Sequence, residues 1–170
     1  MARYTPSQSV LERPEFHARE IIIYGLVILL LVIGTYWRNR VWKSELEVWT
    51  DCVRKSPNKD RPHYNLGNVF LKQGKYEEAI NQYKEALRIN REHTEAHNNL
   101  GSVFLKQGKY QEAINQYKEA LRINPDFAEA HYNLGDAYLM IGKRGLGLIE
   151  YEILKRISPG LAGALNQKIK

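Results

Sequence analysis

A single cysteine, Cys52, serves the whole 170-residue chain. One thiol forms no intrachain disulfide and builds no Cys-rich zinc site, and it leaves the redox compartment open. The short signatures of catalysis are missing too: there is no Gly-rich phosphate loop, no HExxH, no GxSxG and no CxxC. Paired carboxylates such as Glu77–Glu78 stand where a helix would open, which suits the helix dipole, and no nucleophile with a base accompanies them. The sequence therefore predicts no enzyme, no cofactor and no metal within these residues. Charge of one sign is also scarce. Lys and Arg number 25 against 19 Asp and Glu, a net +6, but the signs are interleaved. In GKYEEAINQYKEALRIN, Glu77, Glu78 and Glu85 lie beside Lys75, Lys84 and Arg88. A nucleic-acid surface needs a patch of one sign to neutralise neighbouring phosphates; this pattern is a solvated helix face.

What the chain does have, first, is an uncharged run from Ile21 to Trp37, IIIYGLVILLLVIGTYW. At 1.5 Å per residue it reaches about 25 Å, the lower limit for crossing a hydrocarbon core of about 30 Å. Tyr24 near one end and Tyr36, Trp37 and Trp42 at the other suit a membrane interface. The spacing predicts a transmembrane helix over residues 20–37, behind a polar N-terminal tail over 1–19. A signal peptide would end in a small-residue cleavage site, whereas this run ends in TYWRNR. A buried core helix would show a polar stripe, and none is present. Three basic residues precede the run (Arg3, Arg13, Arg19) and five follow it (Arg38, Arg40, Lys43, Arg54, Lys55). That count leans towards a cytoplasmic C-terminal side.

Second, the sequence repeats with a step of 34 residues: 60–93, 94–127 and 128–161. The first two repeats share 25 of 34 residues and the third matches the second at 13. In the middle repeat Leu100, Val103, Phe104 and Leu105 form one apolar helix face, with Gly101 allowing close approach. Gly108 ends that helix. Ala113, Ile114, Tyr117, Ala120, Leu121 and Ile123 form a second face, and Pro125 stops it. Such pairs bury their apolar faces only by stacking, and about three are needed. The third repeat is degenerate: Gly147 replaces the small alanine, Gly142 and Gly145 loosen the turn, and a short polar cap is expected over 162–170. Upstream, Ser44 and Glu47 form an S-x-x-E capping box. Counting back by 34 puts Trp49 in the aromatic slot, Cys52 in the small slot and Pro57 in the terminating slot, so 44–57 reads as a half repeat.

This period and pattern over 44–161 resemble the tetratricopeptide repeat (TPR) family with high specificity. The fold class expected is all-α: a TPR α-solenoid of three repeats plus an upstream half repeat, after a single transmembrane helix. The resemblance implies that the first helices line a concave groove that receives peptides or partner proteins. On this chain the groove residues are Tyr64, Asn65 and Asn68, then Asn98, Asn99 and Ser102, then Tyr132, Asn133 and Asp136, with Lys72, Lys106 and Met140 one turn further along. Asn65, Asn99 and Asn133 recur at one slot. An amide donates and accepts, so a column of three could hold a peptide backbone, as in the asparagine ladder of O-linked N-acetylglucosamine transferases, which it resembles. The plainer alternative is that these amides bridge adjacent helices. The carboxylate clamp of chaperone cofactors is matched only at Asn68 and Asn99; Tyr64, Glu129 and Asn133 occupy its cationic slots. His63, His97 and His131 also recur, but helix axes about 8–10 Å apart keep them from one zinc ion, and core packing explains them.

The junction TYWRNRVWKSELEVWTDCVRKSPNKDRPHYNLG resembles that of polytopic membrane proteins with C-terminal TPRs, the O-mannosyltransferase-like family and its bacterial relatives. It implies a fragment or shortened relative with its TPRs on the exoplasmic side, against the charge count, so sidedness stays open. Two functions follow. One is a single-pass membrane scaffold binding a protein or extended peptide; the other is the substrate-recruiting C-terminal part of a membrane glycosyltransferase-like protein.

Overall fold

The computed structural model describes the backbone over residues 14–170 and the side chains of residues 21–37, 40 and 45–170. Every element among them is an α-helix: α1 (Pro14–Lys55), α2 (Asp60–Lys72), α3 (Tyr76–Ile89), α4 (Thr94–Lys106), α5 (Tyr110–Ile123), α6 (Ala128–Met140), α7 (Arg144–Ile157) and α8 (Pro159–Ile169). The chain divides into two compact units, Met1–Lys43 and Ser44–Lys170.

In the first unit residues 21–37 of α1 carry no charge, and their large apolar side chains are exposed all round, from Ile33 at 43% to Ile21 at 69%. Thr35 returns its hydroxyl to the Leu31 carbonyl at 2.6 Å, which keeps that polar group satisfied within the helix. Trp37 meets Tyr36 edge-on and carries the Arg40 guanidinium 5.8 Å from its ring centre. Among the described residues no helix is long and apolar enough to cross a membrane, so the expected span is not shown. The polar tail falls mostly outside the described residues, and its last part, from Pro14, is already helix.

In the second unit α1 runs through Ser44 without a break. The S-x-x-E sequence there does not start a helix, because the preceding residues already supply its backbone acceptors. Downstream, α2 packs on α3, α4 on α5 and α6 on α7, and each pair stacks on the next. The apolar residues sit between pairs. Ala79, Ile80 and Tyr83 meet Leu100 and Val103; Ala113, Ile114 and Tyr117 meet Leu134, Ala137 and Tyr138. The stacking predicted from the periodicity is what buries them.

Within a pair, Tyr83 and Tyr117 are fully buried. A Cβ on Gly67 or Gly101 would lie 2.7 Å from the ring of Tyr83 or Tyr117, respectively, which is why those slots hold glycine. The helices of each pair turn at Gly74, Gly108 and Gly142, with φ of 75°, 74° and 75°. This left-handed conformation is cheap only for glycine. Gly142 thus takes the same backbone conformation as the glycines of the first two turns.

Each second helix in the first two repeats stops at an asparagine. Asn90 Oδ1 accepts from the Glu92 amide and Asn124 Oδ1 from the Asp126 amide. These side-chain turns end α3 and α5 alike, although only the latter is followed by proline. The last helix, α8, is not the polar cap expected: it buries Ala162, Leu165 and Ile169 against Leu154.

Candidate binding groove

The first helices of the pairs carry the candidate residues, and amides link one repeat to the next. Asn99 Nδ2 donates to Asn68 Oδ1 at 2.9 Å and to the Tyr64 hydroxyl at 3.3 Å. Asn68 Oδ1 also accepts from the Tyr83 hydroxyl at 2.7 Å. Asn133 Nδ2 donates to Asn98 Oδ1 at 3.0 Å, and Asn98 in turn donates to Asn99 Oδ1 at 3.3 Å. In the middle repeat Tyr117 donates to Ser102 Oγ at 3.3 Å, and Ser102 donates to the Asn98 carbonyl. Burial holds both tyrosines in the phenol form, pushing Tyr117 up to about 12 and Tyr83 further.

Two expected groove residues are not open. Asn98 is buried between helices. Asp136 is buried under α8, where Lys168 Nζ reaches its Oδ2 at 2.7 Å and lies 5.2 Å from the Tyr132 ring. Burial pulls the Lys168 ammonium down, but the hydrogen bonds and charges of Asp136 and Tyr132 together outweigh it and the net shift is upward. The far end of the column is therefore occupied by the chain's own C-terminal helix.

The near end is open. Glu45 and Trp49 from α1, Asn65, Asn68, Leu71 and Lys72 from α2, and Asn99 from α4 surround a pocket of about 340 Å³. Lys72 Nζ lies 3.5 Å from Glu45 Oε1 across it. Asn65 lines this pocket without a hydrogen bond to a described residue. Lys106 and Met140 are exposed. Glu45 and Leu71 escaped the sequence reading, although Trp49 was flagged by the repeat count. Lys168 was missed as well: α8 carries no recognisable repeat that would align it with the amide column.

The three recurring histidines are committed to packing. Each ring bridges its own second helix and the preceding turn: His63 to Gln82 and the Pro57 carbonyl, His97 to Gln116 and the Arg91 carbonyl, His131 to Glu150 and the Pro125 carbonyl. In the first two the partner is an amide, which can turn its NH2 to Nδ1 while Nε2–H donates to the backbone carbonyl. In the third it is a carboxylate at 2.6 Å. A carboxylate and a carbonyl both accept, so this site favours an imidazolium with both nitrogens donating. Burial pulls its pKa down, but the Glu150 bond, the Pro125 carbonyl and the charges of Glu150 and Asp126 outweigh this, leaving it raised. Among the described residues no three His, Cys, Asp or Glu side chains gather as a metal site.

Comparison with known proteins agrees with this architecture. A protein-family profile described as TPR repeat matches residues 67–108 and again 101–142. Protein O-mannosyl-transferase TMTC1 of Homo sapiens is 33% identical over 74 residues, covering 42% of this chain and 8% of that protein. Protein O-mannosyl-transferase F38B6.6 of Caenorhabditis elegans is 34% identical over 64 residues, 38% of this chain and 9% of that one. The chain thus spans less than a tenth of the curated relatives it matches. Among solved structures, MamA superposes with a TM-score of 0.66 at 22% identity, covering 75% of this chain and 86% of that one. YrrB, described as a TPR protein with an unusual peptide-binding site, gives 0.67 at 24%, covering 78% and 69%. The first TPR of Spaghetti (RPAP3), bound to the HSP90 peptide SRMEEVD, gives 0.63 at 25%, covering 65% and 90%. The second unit is a TPR solenoid, and over about two fifths of the chain it is similar to the TPR regions of TMTC-type O-mannosyltransferases.

Proposed function

We propose that this chain is an interaction scaffold that holds an extended peptide or a segment of a partner protein in its TPR groove. The observation carrying the proposal is the open pocket framed by Trp49, Asn65, Asn68, Lys72 and Asn99. Its apolar wall, the Asn65 amide and the ionic rim can grip a backbone and one or two side chains. Amide ladders favour a backbone over any particular side chain. A chaperone-type terminal carboxylate is not the expected ligand, because Tyr64, Glu129 and Asn133 stand in the cationic slots that would pair with it.

Attachment to a membrane through α1 is a further part of this proposal. Its support is the all-round exposure of Ile21–Trp37, with an aromatic and basic end at Tyr36, Trp37 and Arg40. A helix apolar on every side finds cover in lipid or protein, not water. The second reading, a substrate-recruiting segment of a membrane glycosyltransferase, is favoured by the O-mannosyltransferase relatives. In that reading the sugar chemistry lies outside these residues.

The test separates amides that face a ligand from amides that bridge repeats. A peptide recovered by crosslinking in membranes is titrated against Asn65→Ala and against the triple Asn65→Ala, Asn99→Ala, Asn133→Ala. Asn65→Ala is expected to weaken binding about tenfold with helicity unchanged, the loss of one to two net hydrogen bonds. Equal affinity in both variants and the wild type would discard the groove amides as ligands.

A further inference from the structure

The outer side of α7 breaks a rule the other repeats keep. In the first repeat the outward slots of the second helix hold Glu78, Asn81 and Glu85, and in the second Glu112, Asn115 and Glu119. In the third they hold Leu146, Ile149 and Ile153. Leu146 and Ile149 are 37% and 55% exposed, and Ile153 is half-buried. These slots are polar in both preceding repeats, and here three of them have become apolar together. Leu148, 40% exposed, lies next to them.

A further stacked repeat does not explain these residues. Asn81 and Asn115 remain exposed although a repeat follows each of them, so stacking leaves this side uncovered. A second copy is disfavoured by charge. Lys143 and Arg144 lie at one end of the stripe and Lys155 and Arg156 at the other, all exposed, against Glu152 alone, which Lys155 pairs at 2.9 Å. Four positive charges less one leaves +3, and pairing two α7 helices in either direction sets basic ends on basic ends. The apolar hollow of about 660 Å³ here is lined by residues of α7 only, with Leu148, Ile149 and Ile153 as its floor. No neighbouring helix supplies a second wall, so a peptide helix finds no groove. A flat surface needs none.

We infer that the outer face of α7 docks on an anionic bilayer surface, with Leu146, Ile149 and Ile153 entering the headgroup layer and the four basic residues meeting acidic lipids. The test uses the full chain in a Cys52→Ser background, with one cysteine at Gly145→Cys beside the stripe or at Gln111→Cys, the same slot one repeat earlier. Gly145 has open space around it. Each is labelled with an environment-sensitive fluorophore and mixed with phosphatidylcholine vesicles, with or without phosphatidylserine, carrying a quencher lipid. Quenching at residue 145 is expected to exceed that at residue 111 at least about twofold on anionic vesicles. It is expected to vanish in Leu146→Glu, Ile149→Asn, Ile153→Glu, which installs the residues the second repeat already carries. Equal quenching at both sites overturns the inference, as does a doubled mass in sedimentation with no quenching, which would assign the face to a second copy. Flotation on neutral vesicles reads the proposed α1 anchor separately: a chain that floats with a silent probe at 145 keeps the anchor and loses this inference, and the opposite result does the reverse.

Discussion

His131 differs from His63 and His97 in what faces its Nδ1, a carboxylate in place of an amide, and that exchange ties the third repeat to pH. The folded protein holds the His131 proton more tightly than the unfolded chain, since its pKa is raised above 6.5. The stabilisation is therefore complete below the ordinary imidazole value and fades as pH rises through the folded one. Glu150→Gln recreates the pairing of the other repeats. Between pH about 6 and about 8.5 the wild-type melting temperature should fall by more than that of Glu150→Gln. Parallel slopes would show that the pair is not charged. Gly101 makes a second residue-scale case. Alanine there gains about 1 kcal/mol of helix propensity, but its Cβ would meet an immobile Tyr117 ring at 2.7 Å. Overpacking of this kind costs about 1–3 kcal/mol, so Gly101→Ala should destabilise by about 1 kcal/mol in urea unfolding.

At the scale of elements, the periodic parts were legible and the irregular parts were not. The helix pairs, their stacking faces and the glycine turns followed from the 34-residue step, because each repeat answers the same packing problem. The helix start expected at Ser44 did not. A capping box is a local signal, and it is overridden when the helix before it continues. The nature of α8 was also hidden. Read alone, PGLAGALNQKI is short and weakly patterned; its apolar residues have meaning only against Leu154 and the open end of the third pair. That role carries its own expectation. Leu165 is fully buried, so Leu165→Ala should cost about 3 kcal/mol. Amide exchange would show the loss concentrated in α6–α8. Even protection loss along the array would mean that the repeats unfold as one block.

At the scale of the molecule, the candidate site was half legible. Repetition pointed to Asn65, Asn99 and Asn133, but whether an amide faces a ligand or a neighbour depends on the adjoining helix. The hydrogen bonds of Asn99 and Asn133 to the preceding repeat decide that only in three dimensions. The proposed anchor is tested at this scale too. With Leu29→Arg and Leu30→Arg, at two exposed positions of α1, the full chain should move from the neutral-vesicle fraction to the aqueous phase, since each midspan arginine opposes insertion by about 2.5–3.5 kcal/mol. Unchanged flotation would remove α1 from the attachment. One more property follows from the amide bridges. Asn99 gives its hydrogens back to Asn68 and Tyr64, Asn133 to Asn98, and Lys168 to Asp136, so in every case the later helix donates and the earlier one accepts. The row consequently has a head and a tail, and a strand laid along it forwards meets a different sequence of open lone pairs and hydrogens from one laid backwards.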